Sequence, residues 1–151
     1  MVEDPRGRVE SIWLKRAVRG PMDPVPEATV VEAAGLEGDA NNGRSHRQVT
    51  IIEREVFERV REDLPDSDPV MRRANVMVSG LPLAESRGRV LALGPVRIRI
   101  GGETHPCERM DEQCDGLRAA LSPAWHGGAH GVVLTGGSLQ VGDVAFFEPE
   151  D

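Results

Sequence analysis

The fold of this chain is limited above all by its punctuation: 17 glycines and 11 prolines are spread over all 151 residues. Proline removes a backbone donor and fixes φ, and glycine weakens helix and strand interiors, so few windows remain for a helix of several turns. Short strands joined by turns suit such a sequence. Eight windows read as strands: 9–14, 29–33, 48–52, 75–78, 90–93, 96–100, 131–134 and 143–148. Val96-Arg97-Ile98-Arg99-Ile100 shows the period of two expected of a half-buried strand. Two stretches have helical spacing instead. Val56, Val60 and Leu64 recur every fourth residue beside Phe57, and Pro65 stops the run. Met110, Cys114, Leu117 and Leu121 fall at i, i+4, i+7 and i+11 before Pro123, which places Cys114 on an apolar helix face. The expected fold is mainly β, a barrel or sandwich with a few helices closing one end, in a single domain over 1–151. A parallel α/β sheet would need a helix after nearly every strand.

Charge narrows the partners. The 18 basic and 25 acidic residues give a net charge of −7, which opposes phosphate backbones and anionic membranes. Aromatic residues are only 3% of the chain and tyrosine is absent, so platforms for stacking bases are scarce. Neither nucleic acid nor membrane is an expected partner. No apolar run approaches the roughly 20 residues of a membrane span, and residues 1–30 assemble no signal-peptide core. Two cysteines seven residues apart match neither a disulfide framework nor a common zinc pattern. A reduced, cytoplasmic protein is the expectation. An anionic ligand would require a local cluster of arginines.

Cys107 stands in Glu103-Thr104-His105-Pro106-Cys107-Glu108-Arg109-Met110, a proline-bent loop ahead of a helical pattern. Unpaired N–H groups at a helix start favour a thiolate, and a thiolate is both a nucleophile and a soft-metal ligand. Arg109 would help it, whereas Glu103, Glu108, Asp111 and Glu112 would oppose it. His105 is two residues away and could act as its base if Pro106 keeps the chain extended. His126 and His130 have the spacing of a helical metal pair, but Gly127-Gly128 between them disfavours a helix. No phosphate-binding Gly-Lys-Ser/Thr loop and no Gly-x-Ser-x-Gly elbow occurs. The loop from Gly35 onward reads as a polar connection, and on a sharper reading Asp39, Arg44 and Arg47 converge on a phosphate-gripping pocket at the barrel mouth. By charge alone, Arg72-Arg73 is a solvated pair and Asn75 a turn residue.

Taken in order, Gly7 with Val9, Pro21-Met22, Gly35-Leu36-Glu37-Gly38-Asp39, Arg47-Gln48-Val49-Thr50, Arg73-x-Asn75, Ser79-Gly80 before Leu83, Pro106-Cys107 with Arg109, Gly127-Gly128, Gly136-Gly137 and Val141-Gly142-Asp143 resemble the MOSC domain. That family is named for the C-terminal region of molybdenum cofactor sulfurases, and the likeness is to its small stand-alone members. The resemblance implies a β-barrel with a few short helices that binds the molybdenum cofactor, a molybdopterin. It implies that Cys107 ligates molybdenum or carries sulfur, and that Arg47, Arg73 and Asn75 line the cofactor pocket. Two activities are compatible with it: reduction of N-hydroxylated substrates with an electron-donor or molybdoenzyme partner, or non-catalytic carriage of sulfur or cofactor. Pyridoxal phosphate belongs to the separate sulfurase domain of fused relatives, and it is not expected here. Lys15 is the only lysine.

Overall fold

A computed structural model gives the structure of the protein and describes residues 6–149. The chain runs from β1 (Gly7–Lys15) through β2 (Met22–Val25), β3 (Glu27–Val31) and β4 (Gly35–Leu36) to β5 (Val49–Glu53). Then come α1 (Arg54–Asp63), a 3-10 turn (Pro69–Arg72), β6 (Val76–Ser79), β7 (Val90–Leu93) and β8 (Val96–Glu103). Two short helices, α2 (Arg109–Gln113) and α3 (Leu117–Ala120), precede β9 (Ala129–Thr135), β10 (Gly137–Gln140) and β11 (Val144–Phe147).

Seven strands in the order β11-β7-β8-β9-β5-β6-β1 form a barrel, which the β1–β11 pairing closes. β2 extends the sheet beyond β1, while β10, β3 and β4 make a second small sheet. Closure leaves the seven barrel strands without a free edge. Alternation then divides the apolar residues between two cores. Val9, Val49, Ile51, Val76, Val78, Ile98 and Ile100 fill the barrel, joined by Val30, Leu36 and Leu139 of the small sheet. Trp13, Ile52 and Met77, at other positions of the same strands, pack outside the barrel with Val56 and Phe57 of α1 and with Met110 and Leu117.

Each of the eight expected strands is present, 90–93 with its bounds unchanged and the others shifted by one to three residues at an end. α1 stops at Asp63, ahead of Pro65, as its spacing requires. The second helical expectation is corrected. Cys114 is extended (φ −155°, ψ 114°) and Gly116 is left-handed (φ 88°), so the stretch breaks into α2 and α3. Asp111 Oδ1 accepts from Arg118 N at 3.0 Å and steadies the start of α3. The glycine turn still leaves Met110, Leu117 and Leu121 buried, whereas Cys114 is only half-buried against them. Three strands were not expected from the sequence: β2, β4 and β10.

Candidate functional site

The segment bearing Cys107 leaves β8 and is fastened before it reaches α2. Thr104 N donates to Gly128 O at 2.8 Å, Glu103 Oε2 accepts from Trp125 N at 2.6 Å, and Met110 N donates to Cys107 O at 3.0 Å. The double glycine makes this approach feasible. A Cβ on Gly127 would sit 2.2 Å from Thr104 O, and one on Gly128, at φ +98°, would sit 2.2 Å from Ile51 O. Behind the segment lies Arg72, only 8% exposed. Its Nε donates to Gly127 O at 2.7 Å, and Nη2 reaches Thr104 O and His105 O, each at 3.4 Å.

In front of the segment is a cavity of ≈ 260 Å³ where Cys107 meets Lys15, Arg44, Arg47, Arg72, Arg73 and Arg109. Asn41, Thr50, Thr104, His105 and Met110 complete its wall, which contains no carboxylate. Among the described residues, none of its six cations lies within ion-pair distance of an acidic side chain. A chain of net charge −7 has therefore gathered a positive basin around its exposed cysteine, with no carboxylate in the cavity wall. The basin continues past Arg73 and Arg109 into a hollow of ≈ 220 Å³ that includes Arg19, Glu112 and Gln113. Arg73 Nη2 donates to Gly20 O at 2.6 Å, so the turn carrying Arg19 is tied to this wall.

The crowding of charge is legible in the titration of the site. Burial, above all, pulls Arg72 down to about 10, with Arg47 acting in the same sense, while the nearby Cys107 sulfur favours its charge. Burial and then Arg109 lower Arg73. Burial also lowers Lys15, with Arg73, Arg44 and Arg109 reinforcing it against the opposing carboxylate of Asp39. His130 is lowered by burial and then by Arg47 and Arg87. Desolvation and like charges act together here, a combination that marks functional clefts.

The expected site residues separate into two groups. Cys107, Arg47 and Arg73 meet in the cavity, as does Arg44. Asn75 does not line it: it is 2% exposed behind the wall, where Oδ1 accepts from Thr50 N at 3.1 Å and Nδ2 donates to Asp39 Oδ1 at 3.0 Å. Asp39 also turns away, accepting from Lys15 N at 2.6 Å and Asn41 N at 2.9 Å. These two side chains brace β1, β5 and the polar loop. The helix contribution to Cys107 is corrected as well, because five residues of α2 carry little dipole and the positive field comes from arginine side chains. His105 lines the cavity, but its Nε2 lies 3.8 Å from Glu103 Oε1 and no hydrogen bond joins it to the Cys107 sulfur among the described residues.

Sequence reasoning missed Arg72, Lys15, Asn41 and Thr104. Asn41 Oδ1 and Thr104 Oγ1 are buried without a hydrogen-bond partner, and both residues belong to the cavity wall. A ligand with polar edges would satisfy them, and an anionic group would neutralise the arginines. The donor set thus fits a molecule combining a hydrogen-bonding ring, a phosphate and a soft metal open to a thiolate. Among the described residues no group of three or more His, Cys, Asp or Glu side chains could hold a metal by itself.

A sequence model of the MOSC domain matches residues 38–145. Among solved structures, the YUAD protein of Bacillus subtilis aligns over 99% of this chain and 100% of its own, with a TM-score of 0.84 at 18% identity. YiiM from Geobacillus stearothermophilus aligns over 95% of this chain and 75% of its own, with a TM-score of 0.74 at 16% identity. YiiM from Escherichia coli aligns over 95% and 71%, with a TM-score of 0.71 at 16% identity. At these identities the likeness establishes the shared fold. No curated protein gives a significant sequence match.

Proposed function

Because the chain belongs to the MOSC domain family, we propose that its cationic basin binds a molybdenum–pterin cofactor, with Cys107 as the ligand to molybdenum. The observation that carries this reading is an exposed thiol set among six cations with no acidic side chain in the wall. Arg44 and Arg47 are forked donors suited to a phosphate, and Lys15 and Arg73 add positive charge to the same wall. Asn41 and Thr104 supply the buried polar contacts that a pterin edge would complete. When bound, such a cofactor supplies two-electron redox chemistry at molybdenum. The chain itself binds, orients and holds the thiolate. Arg72 fixes the segment beneath Cys107, and the reaction proposed at the cofactor is reduction of a small N-hydroxylated substrate with electrons from a donor partner.

The test is elemental. Protein expressed in a host that makes the cofactor is expected to contain molybdenum, and Cys107→Ala is expected to lose most of it. Equal metal in both forms would overturn the assignment.

A second reading, carriage of sulfur or cofactor without catalysis, is favoured by one observation: among the described residues no base is hydrogen-bonded to the exposed Cys107. Intact-mass spectrometry decides for it if the purified chain bears a persulfide on Cys107, and steady turnover with an added reductant decides against it.

A further inference from the structure

Arg72 is an anomaly in ordinary packing terms. The residue is 8% exposed, and its guanidinium donates to three carbonyl oxygens and, among the described residues, to no carboxylate. A buried cation without a counter-charge costs stability, and a well-packed apolar side chain in its place is commonly neutral or better. The carbonyls it holds belong to both segments that define the position of Cys107: Thr104 and His105 just before the cysteine, and Gly127 of the double glycine on which that segment rests. A planar fork bridges acceptors on two separate stretches of chain in one fixed geometry, which a lysine ammonium, a compact charge on a flexible stem, does not reproduce. The 3-10 turn that presents Arg72 is itself pinned, with Asp68 Oδ1 accepting from Val70 N at 3.0 Å. The neighbouring Arg73 reaches away to Gly20 O. The two consecutive arginines therefore serve opposite walls of the site.

We propose that Arg72 is the positioning residue for Cys107: it clamps the 104–105 and 127 backbones together and places a permanent positive charge behind the sulfur. This rests on Cys107 being the working thiol, although its test reads the thiol and not molybdenum, so the two readings can fail separately.

The test uses the apo protein and two alkylating reagents of similar size, anionic iodoacetate and neutral iodoacetamide. Their rates at Cys107 are followed by mass spectrometry of its peptide, with half-buried Cys114 as the internal reference. The ratio of the two rates at one pH reports the local field and cancels changes in thiol reactivity. In Arg72→Met the iodoacetate-to-iodoacetamide ratio at Cys107 is expected to fall by about threefold or more, the size of effect one nearby charge exerts at intermediate dielectric. The ratio at Cys114 is expected to stay unchanged. Arg72→Lys is expected to keep the Cys107 ratio, yet to speed amide exchange across 104–107, because it restores the charge and not the fork. A purely structural Arg72 would instead raise both rates at both cysteines in proportion, leaving each ratio as it was, and that result would overturn the proposal. Should Arg72→Met not fold, Arg72→Gln is neutral and can still donate to Gly127 O, and the same criterion applies to it. An exchange rate in Arg72→Lys equal to that of the native chain would also overturn the clamp.

Discussion

The basin should cost the fold stability, and Arg109 is the residue with which to measure that cost. It is the first residue of α2 and lies in the cavity wall beside Lys15 and Arg73. Its field also pushes down both Lys15 and Arg73, although burial is the larger influence on each. Two unit charges about 8 Å apart repel by ~0.5 kcal/mol in water before screening. At physiological salt the Debye length is about 8 Å, which reduces each such repulsion to ~0.2 kcal/mol, whereas near 0.01 M it is about 30 Å and most of the repulsion survives. With Lys15 and Arg73 as the two named neighbours, Arg109→Gln should therefore stabilise the chain by about 0.8 kcal/mol at low salt and about 0.4 kcal/mol at physiological salt. For a domain of this size that is a rise in Tm of about 2–3 °C at low salt and about 1 °C at physiological salt. In 1 M salt, where the Debye length is about 3 Å, the gain should vanish. Differential scanning calorimetry of native and variant protein at the three ionic strengths is the assay. Inorganic phosphate should also stabilise the native chain more than the variant, since it neutralises the charge that the variant lacks. A lower Tm for Arg109→Gln, or a gain that persists unchanged in 1 M salt, would refute the reasoning.

Three further outcomes are expected. His130 has a lowered pKa, so the unfolded chain binds its proton more readily than the native one; stability is then full above pH 6.5 and declines as pH falls below it, and His130→Gln should flatten that decline in Tm measured between pH 5 and 7.5. Gly128→Ala, with its Cβ driven against Ile51 O in a left-handed backbone, should cost about 3 kcal/mol in urea unfolding. Asn75→Ala removes the side chain shared by Thr50 and Asp39 and should cost roughly 1–3 kcal/mol, with any loss of ligand affinity following from the displaced loop and not from a lost contact.

The strands were legible because burial alternates along them and glycine or proline marks their ends, as in β8, where Val96, Ile98 and Ile100 point inward. β2 was hidden by Pro24, which an outermost strand tolerates because only one of its sides is paired. β4 has two residues and offers no period at all. The spacing of Met110, Cys114, Leu117 and Leu121 matched a helix, yet Gly116 breaks the stretch without moving its large residues out of the core. Arg47 and Arg73 were found through motif order. Arg72 escaped because charge suggests solvent, and its burial follows from carbonyls 32 to 55 residues away in sequence. The partnership of Asn75 with Asp39 spans 36 residues and is invisible to local pattern for the same reason.

The division of the apolar residues into two cores bears on how the molecule opens. Met110, Leu117 and Leu121 are anchored in the outer cluster, not in the barrel, and helices of five and four residues have no stability apart from that contact. The 107–121 segment is therefore expected to open as a separate cooperative unit, lifting from Trp13 and Ile52 while the strand ladders stay closed. Amide hydrogen exchange should show its protons lost well before those of β8 and β9. A chain built this way can admit or surrender a bulky ligand by a local excursion of its cysteine arm, at a fraction of the free energy needed to unfold the whole.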